Sequence, residues 1–153
     1  MNASPMSSRL FRWVLSSLVV AVSPAMAAPL RSGTLQIQDV WIREAPPQAP
    51  VLAGYGVILG GGKPDRLLRV EADEFARVEL HEMVPATAGM ARMRQLSQLE
   101  IPLGATCSLD PGGSHLMLFS PRRQLVAGNF VRMRWYFAEA GLVKVRAKVR
   151  RVD

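Results

Sequence analysis

The chain has 153 residues, of which 49% are hydrophobic and 20% charged, and its formal net charge is +7. This length suits one domain with one core, and the single cysteine excludes a disulfide within the chain. No nucleic-acid-reading motif or helix-borne basic patch accompanies the positive charge, so nucleic-acid binding is not expected.

Residues 1–27 have the pattern of a secretory signal peptide. Arg9 and Arg12 supply positive charge, and the apolar stretch after them, about ten residues, is too short to span a bilayer. The Ala-Met-Ala run at 25–27 is a small-x-small cleavage site. We therefore expect export through the inner membrane to the periplasm, with residues 28–153 forming a single mature domain and no stable membrane insertion after cleavage.

Beyond this segment, apolar and polar residues alternate with a period of two, which is typical of strands. No segment keeps a period of 3.6 residues, and turn signals recur at short intervals, so the pattern predicts an all-β fold, specifically a β-sandwich. In the first strand we expect Trp41 to lie over the core, and in the seventh we expect Cys107 to face inward with Leu109. The predicted strands are residues 35–43, 51–59, 67–71, 75–81, 91–96, 99–102, 106–109, 115–119, 130–137 and 142–149.

Basic residues alternate with aliphatic ones near the C-terminus, at 132–134 and 144–150. That spacing is typical of a solvated sheet face. Such a face can still steer the protein towards an acidic partner or a membrane.

Both histidines of the chain, His81 and His115, have a methionine two residues further on. In a strand, residues at i and i+2 point to the same face, so His115 and Met117 should lie side by side while Leu116 faces the core. Imidazole binds several metals, but a thioether is a soft ligand that selects copper(I) over zinc, magnesium or calcium. The pattern predicts a copper site, although methionines that only fill core gaps and surface histidines are the plainer alternative.

The spacing of four residues is similar to that of the periplasmic PCu(A)C copper chaperone family. Eleven residues separate His81 from Met93, twenty-one separate Met93 from His115, and one separates His115 from Met117. Flanking segments resemble the family as well, namely Val78–Glu82, Ile101–Gly104 and Pro111–Met117.

This resemblance implies a cupredoxin-like Greek-key β-sandwich with copper(I) bound by His81, Met93, His115 and Met117. It also implies delivery to the dinuclear copper A centre of a terminal oxidase, with a thiol-bearing metallochaperone as a second partner. Family members often have a methionine directly after the first histidine, whereas Glu82 stands there in this chain and Met83 follows. Whether Met83 or Met90 is an auxiliary ligand is left open by the sequence.

We expect a monomeric, non-enzymatic protein with its metal site at one rim of the sandwich, because the ligands come from strand ends and a loop. A copper buffer would use the same ligands, and a metal-free interaction module is the third alternative. Catalysis is disfavoured because the side chain of Ser114, next to His115, should point to the opposite face of the strand.

Overall fold

Ten strands form a single hydrogen-bonded sheet in the computed structural model, which describes residues 34–152. A short 3-10 turn, Thr87–Gly89, separates β4 from β5. The predicted signal peptide, residues 1–27, lies outside the described residues. The strands are β1 (Gln36–Arg43), β2 (Val51–Leu59), β3 (Asp65–Ala72), β4 (Phe75–Pro85), β5 (Ala91–Leu96), β6 (Leu99–Ile101), β7 (Thr106–Leu109), β8 (Ser114–Pro121), β9 (Phe130–Phe137) and β10 (Leu142–Arg150).

Each predicted strand coincides with an observed one, and the largest difference is at the end of β4. We expected this strand to end at His81, but it continues to Pro85. The extension is stabilised by pairing with β5, in which Met83 lies opposite Met93. A partner strand supplies these hydrogen bonds, so the local sequence alone does not reveal them.

The sheet folds over so that its two ends share one core. The strand order is β5-β4-β8-β2-β1-β10-β9-β3-β6, and β7 also pairs with β2. Neighbouring strands are antiparallel except for the parallel pair β1 and β10. The all-β, cupredoxin-like Greek-key sandwich predicted from the sequence is confirmed. The shared core contains Leu80, Leu116 and Leu118 from β4 and β8, and Met133, Trp135 and Val149 from β9 and β10.

Trp41 does not belong to this core, contrary to our prediction. Its neighbours Val40 and Ile42 are buried, which places Trp41 on the outward face of β1. There its ring centroid lies 4.5 Å from that of Tyr55. All three residues at 40–42 are apolar, so alternation could not show which of them face inward, and packing against the other strands decides it.

Asp65 is a buried carboxylate that connects the β9–β10 turn to the start of β3. Its side chain accepts hydrogen bonds from the backbone N–H groups of Arg66, Glu139 and Ala140 at 2.7, 2.9 and 3.0 Å. Burial by itself raises the pKa of Asp65, but these hydrogen bonds outweigh burial, and the net effect lowers the pKa below its usual value.

Within residues 34–152, no helix has the length and apolar character needed to cross a bilayer.

Candidate metal centre

The four predicted ligands lie on three neighbouring strands, in the sheet order β5, β4, β8. Met93 lies in β5, His81 in β4, and both His115 and Met117 in β8. Leu80, next to His81, is buried in the core, so His81 is on the opposite, outward face.

The alternation predicted for β8 is confirmed by burial. Leu116 and Leu118 are fully buried in the core, and His115 and Met117 therefore share the outward face. His115 is nevertheless only 7% exposed, because outward-facing neighbours cover its ring.

The register of the sheet places the two histidines directly opposite each other. His81 in β4 pairs with His115 in β8, and their ring centroids lie 6.2 Å apart with an angle of 32° between the planes. Met117 lies opposite Glu79, one outward position along β4 from His81. The structure thus brings together two imidazoles that are 34 residues apart in the sequence.

Each imidazole has one nitrogen engaged in a hydrogen bond and one left over. His115 Nδ1 lies 3.0 Å from the carbonyl oxygen of Gly113, to which it donates, so its Nε2 keeps a free lone pair. His81 Nε2 lies 2.9 Å from a carboxylate oxygen of Glu79, to which it donates, so the lone pair of His81 is on Nδ1. That Nδ1 is buried and has no hydrogen-bond partner within the described residues.

A short chain of charged side chains holds His81 in this tautomer. Glu79 accepts a hydrogen bond from Arg77 Nε at 2.8 Å with one oxygen and from His81 with the other. The hydrogen bond from Arg77, and then that from His81, lowers the pKa of Glu79. The guanidinium of Arg77 in turn lies 3.9 Å from the ring centroid of Phe119. Glu79 is therefore an ionised acceptor in a fixed position.

A groove of about 400 Å³ runs along this outward face. Three of the four predicted ligands contribute to its walls, whereas His81 lies outside the lining, across from His115. The groove meets the turn before β8, as expected for a site near one rim, but its floor is the face of the strands and not a set of loops. The lining residues are Val51, Leu52, Ala53, Tyr55, Met83, Met93, Pro111, Gly112, His115 and Met117.

Met83 is the lining residue whose role the sequence left undecided. It lies directly opposite Met93 and two residues beyond His81, so its thioether is on the same outward face. The i+2 spacing from His81 was the available signal. Met90, the other candidate, is 63% exposed and does not line the groove.

Cys107 lies away from this groove. It pairs with Ile58 towards the other end of β2, and its Sγ lies 3.7 Å from the carbonyl oxygen of Glu100. Cys107 is half-buried beside fully buried Leu109, as predicted, and burial raises the pKa of its thiol. Across residues 34–152, no three His, Cys, Asp or Glu side chains converge on one point.

The fold and this surface define a class: a β-sandwich with the fold of PCuAC domains and with histidines and methionines on one outward face. The apo PCuAC domain of PmoF1 superimposes with a TM-score of 0.68 at 23% identity, covering 79% of this chain and 97% of that domain. The copper-bound PCuAC domain of PmoF2 gives 0.66 at 24%, covering 79% and 96%. The solution structure of CuI-DR1885 from Deinococcus radiodurans gives 0.59 at 23%, covering 82% and 81%.

At the sequence level, residues 35–149 match the family described as "LpqE-like: Putative lipoprotein LpqE-like", and the chain belongs to that family. A relative, "Putative lipoprotein Lxx21020" of Leifsonia xyli subsp. xyli, is 25% identical over 117 residues, which cover 76% of this chain and 69% of that protein. These matches confirm the resemblance to PCu(A)C-type proteins, and the solved structures establish the fold.

Proposed function

We propose that this chain binds one copper(I) ion as cargo through His81, Met93, His115 and Met117 and transfers it to a partner protein in the periplasm. The observation that carries the proposal is the pair of opposed imidazoles. Each has one ring nitrogen oriented by an acceptor and one lone pair left free. Metal-binding histidines characteristically donate their second N–H to a carboxylate or a backbone carbonyl, as these two do.

The spacing of the two rings supports this assignment. A metal bonded to imidazole lies about 2.0–2.1 Å from the nitrogen, and hence about 3.2 Å from the ring centroid. The centroids of His81 and His115 are 6.2 Å apart, which is within twice that distance. This spacing is compatible with one ion bound by both rings.

The thioethers in the groove determine which metal the proposal names. Met93 and Met117 both line the groove, next to His115. Soft thioether ligands favour copper(I), whereas zinc is usually held by thiolate, imidazole and carboxylate ligands. The solved PCuAC domain of PmoF2 has copper bound, and CuI-DR1885 has copper(I), which agrees with this choice.

Accessibility favours delivery over long-term storage. Met93 is 48% exposed on β5, the strand at the end of the sheet path, while His115 is buried. A partner can therefore reach the ion from the side of Met93 before the imidazoles release it. By resemblance to the PCu(A)C family, we propose the copper A centre of a terminal oxidase as recipient and a thiol-bearing metallochaperone as a second partner. The lipoprotein names of the family and of the Leifsonia relative are in keeping with export.

Neither catalysis nor blue-copper electron transfer has support from the arrangement of side chains. Ser114 lies opposite Glu82, on the face of the sheet away from the ring of His115, so the two do not form a nucleophile–base pair. A blue-copper site needs a cysteine thiolate with two histidines. Cys107 is instead a protonated thiol on β7, outside the groove lining.

The test is a copper(I) titration of the mature chain against a competing copper(I) chelator. We expect one ion per chain, weakened binding in Met93→Leu, and unchanged binding in Met90→Leu, the matched exposed methionine outside the groove. The apo stability of Met93→Leu should equal that of the wild type. Tight one-to-one zinc binding, with copper(I) left in the chelator, would contradict the proposal.

A further inference from the structure

The outward face of β9 and β10 places like charges directly opposite each other. Arg132 pairs with Arg146, and Arg134 pairs with Lys144. Lys148 follows on the same face, opposite Phe130. Like charges at directly opposed positions destabilise an antiparallel pair. If this face were exposed only to solvent, acidic residues opposite the basic ones would make the strand pair more stable. The opposed like charges therefore call for another explanation.

Few acidic side chains compensate this charge. Arg134 forms ion pairs with Glu71 and Asp73. Arg132, Lys144, Arg146 and Lys148 are exposed, and none of the four has an acidic partner within ion-pair distance anywhere in residues 34–152. This set of four side chains, the basic face, therefore presents positive charge without a direct ion pair, and Asp73 acts on Arg132 only at longer range.

Apolar side chains mark the two ends of the basic face. Phe130, at the start of β9, is 47% exposed, and Leu142, at the start of β10, is 48% exposed. The guanidinium of Arg146 lies 4.5 Å from the ring centroid of Phe130. Between the two ends, a shallow groove of about 460 Å³ is lined by Asp73, Arg132, Met133, Arg134, Lys144, Val145 and Arg146.

We propose that the basic face docks on an anionic phospholipid surface. Lysines and arginines near such a surface are attracted to its phosphate groups, and exposed apolar side chains beside them can enter the headgroup region. The choice of a lipid over an acidic protein rests on these two exposed apolar flanks, which an acidic polypeptide would not require. The inference is independent of copper binding.

The location of the basic face also gives docking a direction. The inward residues of β9 and β10 share one core with those of β4 and β8. Their outward residues therefore point to opposite sides of the sandwich. A molecule lying on a bilayer through its basic face would hold the His81–His115 face away from the lipid and open to a partner.

The experiment is sedimentation of the mature chain with vesicles of phosphatidylglycerol and phosphatidylcholine, and with vesicles of phosphatidylcholine alone. We expect binding to the anionic vesicles only, and loss of binding in high salt. Each basic residue near such a surface contributes about a fivefold factor in partitioning. The neutral double variant Lys144→Gln with Arg146→Gln should therefore bind about thirtyfold more weakly.

The reversed double variant, Lys144→Glu with Arg146→Glu, should lose binding completely. Its melting temperature should equal or exceed that of the wild type, because each new glutamate lies opposite an arginine. Lys63→Glu with Arg92→Glu is the matched control, since both residues are exposed outside the basic face and the change in net charge is the same. The control should bind within about threefold of the wild type.

Three results would overturn the proposal. One is equal binding of the wild type to both kinds of vesicle. Another is an equal loss of binding in the reversed variant and its control, which would assign the effect to net charge. The last is binding to immobilised polyglutamate with none to the anionic vesicles, which would make the partner an acidic polypeptide.

Discussion

Replacing Glu79 by glutamine should weaken copper(I) binding through the tautomer of His81. One oxygen of Glu79 accepts from Arg77 and the other accepts from His81 Nε2. Glutamine has one acceptor oxygen, and Arg77, which can only donate, will take it. The amide NH₂ group then faces His81, and Nε2 must become the acceptor. The proton moves to Nδ1, which loses the lone pair that we propose binds copper.

The expected effect follows from the position of Glu79 behind a proposed ligand. Loss of such an outer partner typically costs 10–100-fold in metal affinity, or about 1.4–2.7 kcal/mol. Glu82→Gln is the matched control, because it makes the same change of charge three residues away on the opposite face, where Glu82 pairs with Arg94. We expect the control to remain within about twofold of the wild type.

The assay is competition for copper(I) at constant pH, with ¹⁵N chemical shifts of the imidazole nitrogens reporting the tautomer of His81. A double-mutant cycle with His81→Ala tests the route of the effect, since Glu79→Gln should cost nothing further once the imidazole is gone. Equal affinities of Glu79→Gln and Glu82→Gln would refute the reasoning. An undiminished effect of Glu79→Gln in the His81→Ala background would also refute it, by showing that the carboxylate acts through its charge.

Further predictions concern three other positions. Met83 lines the groove opposite Met93, and we propose it as an auxiliary thioether ligand beside the four already named. Met83→Leu, which keeps the side-chain volume, should therefore lower copper(I) affinity about tenfold and remove one sulfur ligand in X-ray absorption, while Met90→Leu changes neither. Equal spectra would show that Met83 only lines the groove. Cys107→Ser should bind copper as the wild type does, and its free energy of unfolding in urea denaturation should be lower by about 1 kcal/mol, because a hydroxyl replaces a half-buried thiol. A folded variant that fails to bind copper would show that the thiol is a ligand. The fold lowers the pKa of Asp65, so its carboxylate contributes stability that is present above its ordinary pKa of 3.8 and is lost as the pH falls through the folded value. Asp65→Asn should therefore be less stable than the wild type at pH 7, and its free energy of unfolding should fall less between pH 5 and pH 2. Parallel pH profiles of the two proteins would exclude this contribution.

The strands and the shared face of His115 and Met117 were predictable from sequence, because both depend on short-range patterns, whereas Met93 entered the candidate site only through the family resemblance. Alternation with a period of two is set by the pleat of a strand, so the spacing alone assigns His115 and Met117 to one face and Leu116 to the core. The soft character of thioethers is likewise a property of the residue type, and it is sufficient to suggest copper.

The strand register, and the face of the strand on which Trp41 lies, could be known only from the tertiary structure, because both depend on partners distant in the chain. Nothing near His81 in the sequence shows that it lies opposite His115, or that Met83 lies opposite Met93. Whether Trp41 faces inward was undecidable within a run of apolar residues.

The tertiary structure also determined the tautomer of His81 and the pairing of the basic residues across β9 and β10. Alternation at 144–150 predicts a solvated face, but only the pairing of β10 with β9 reveals arginine opposite arginine. The tautomer of His81 depends on the distance to a carboxylate oxygen, 2.9 Å, which the fold sets. Hydrogen bonds and charge pairs act over a few ångströms in space, whereas the sequence specifies order along the chain, and folding is what converts one into the other.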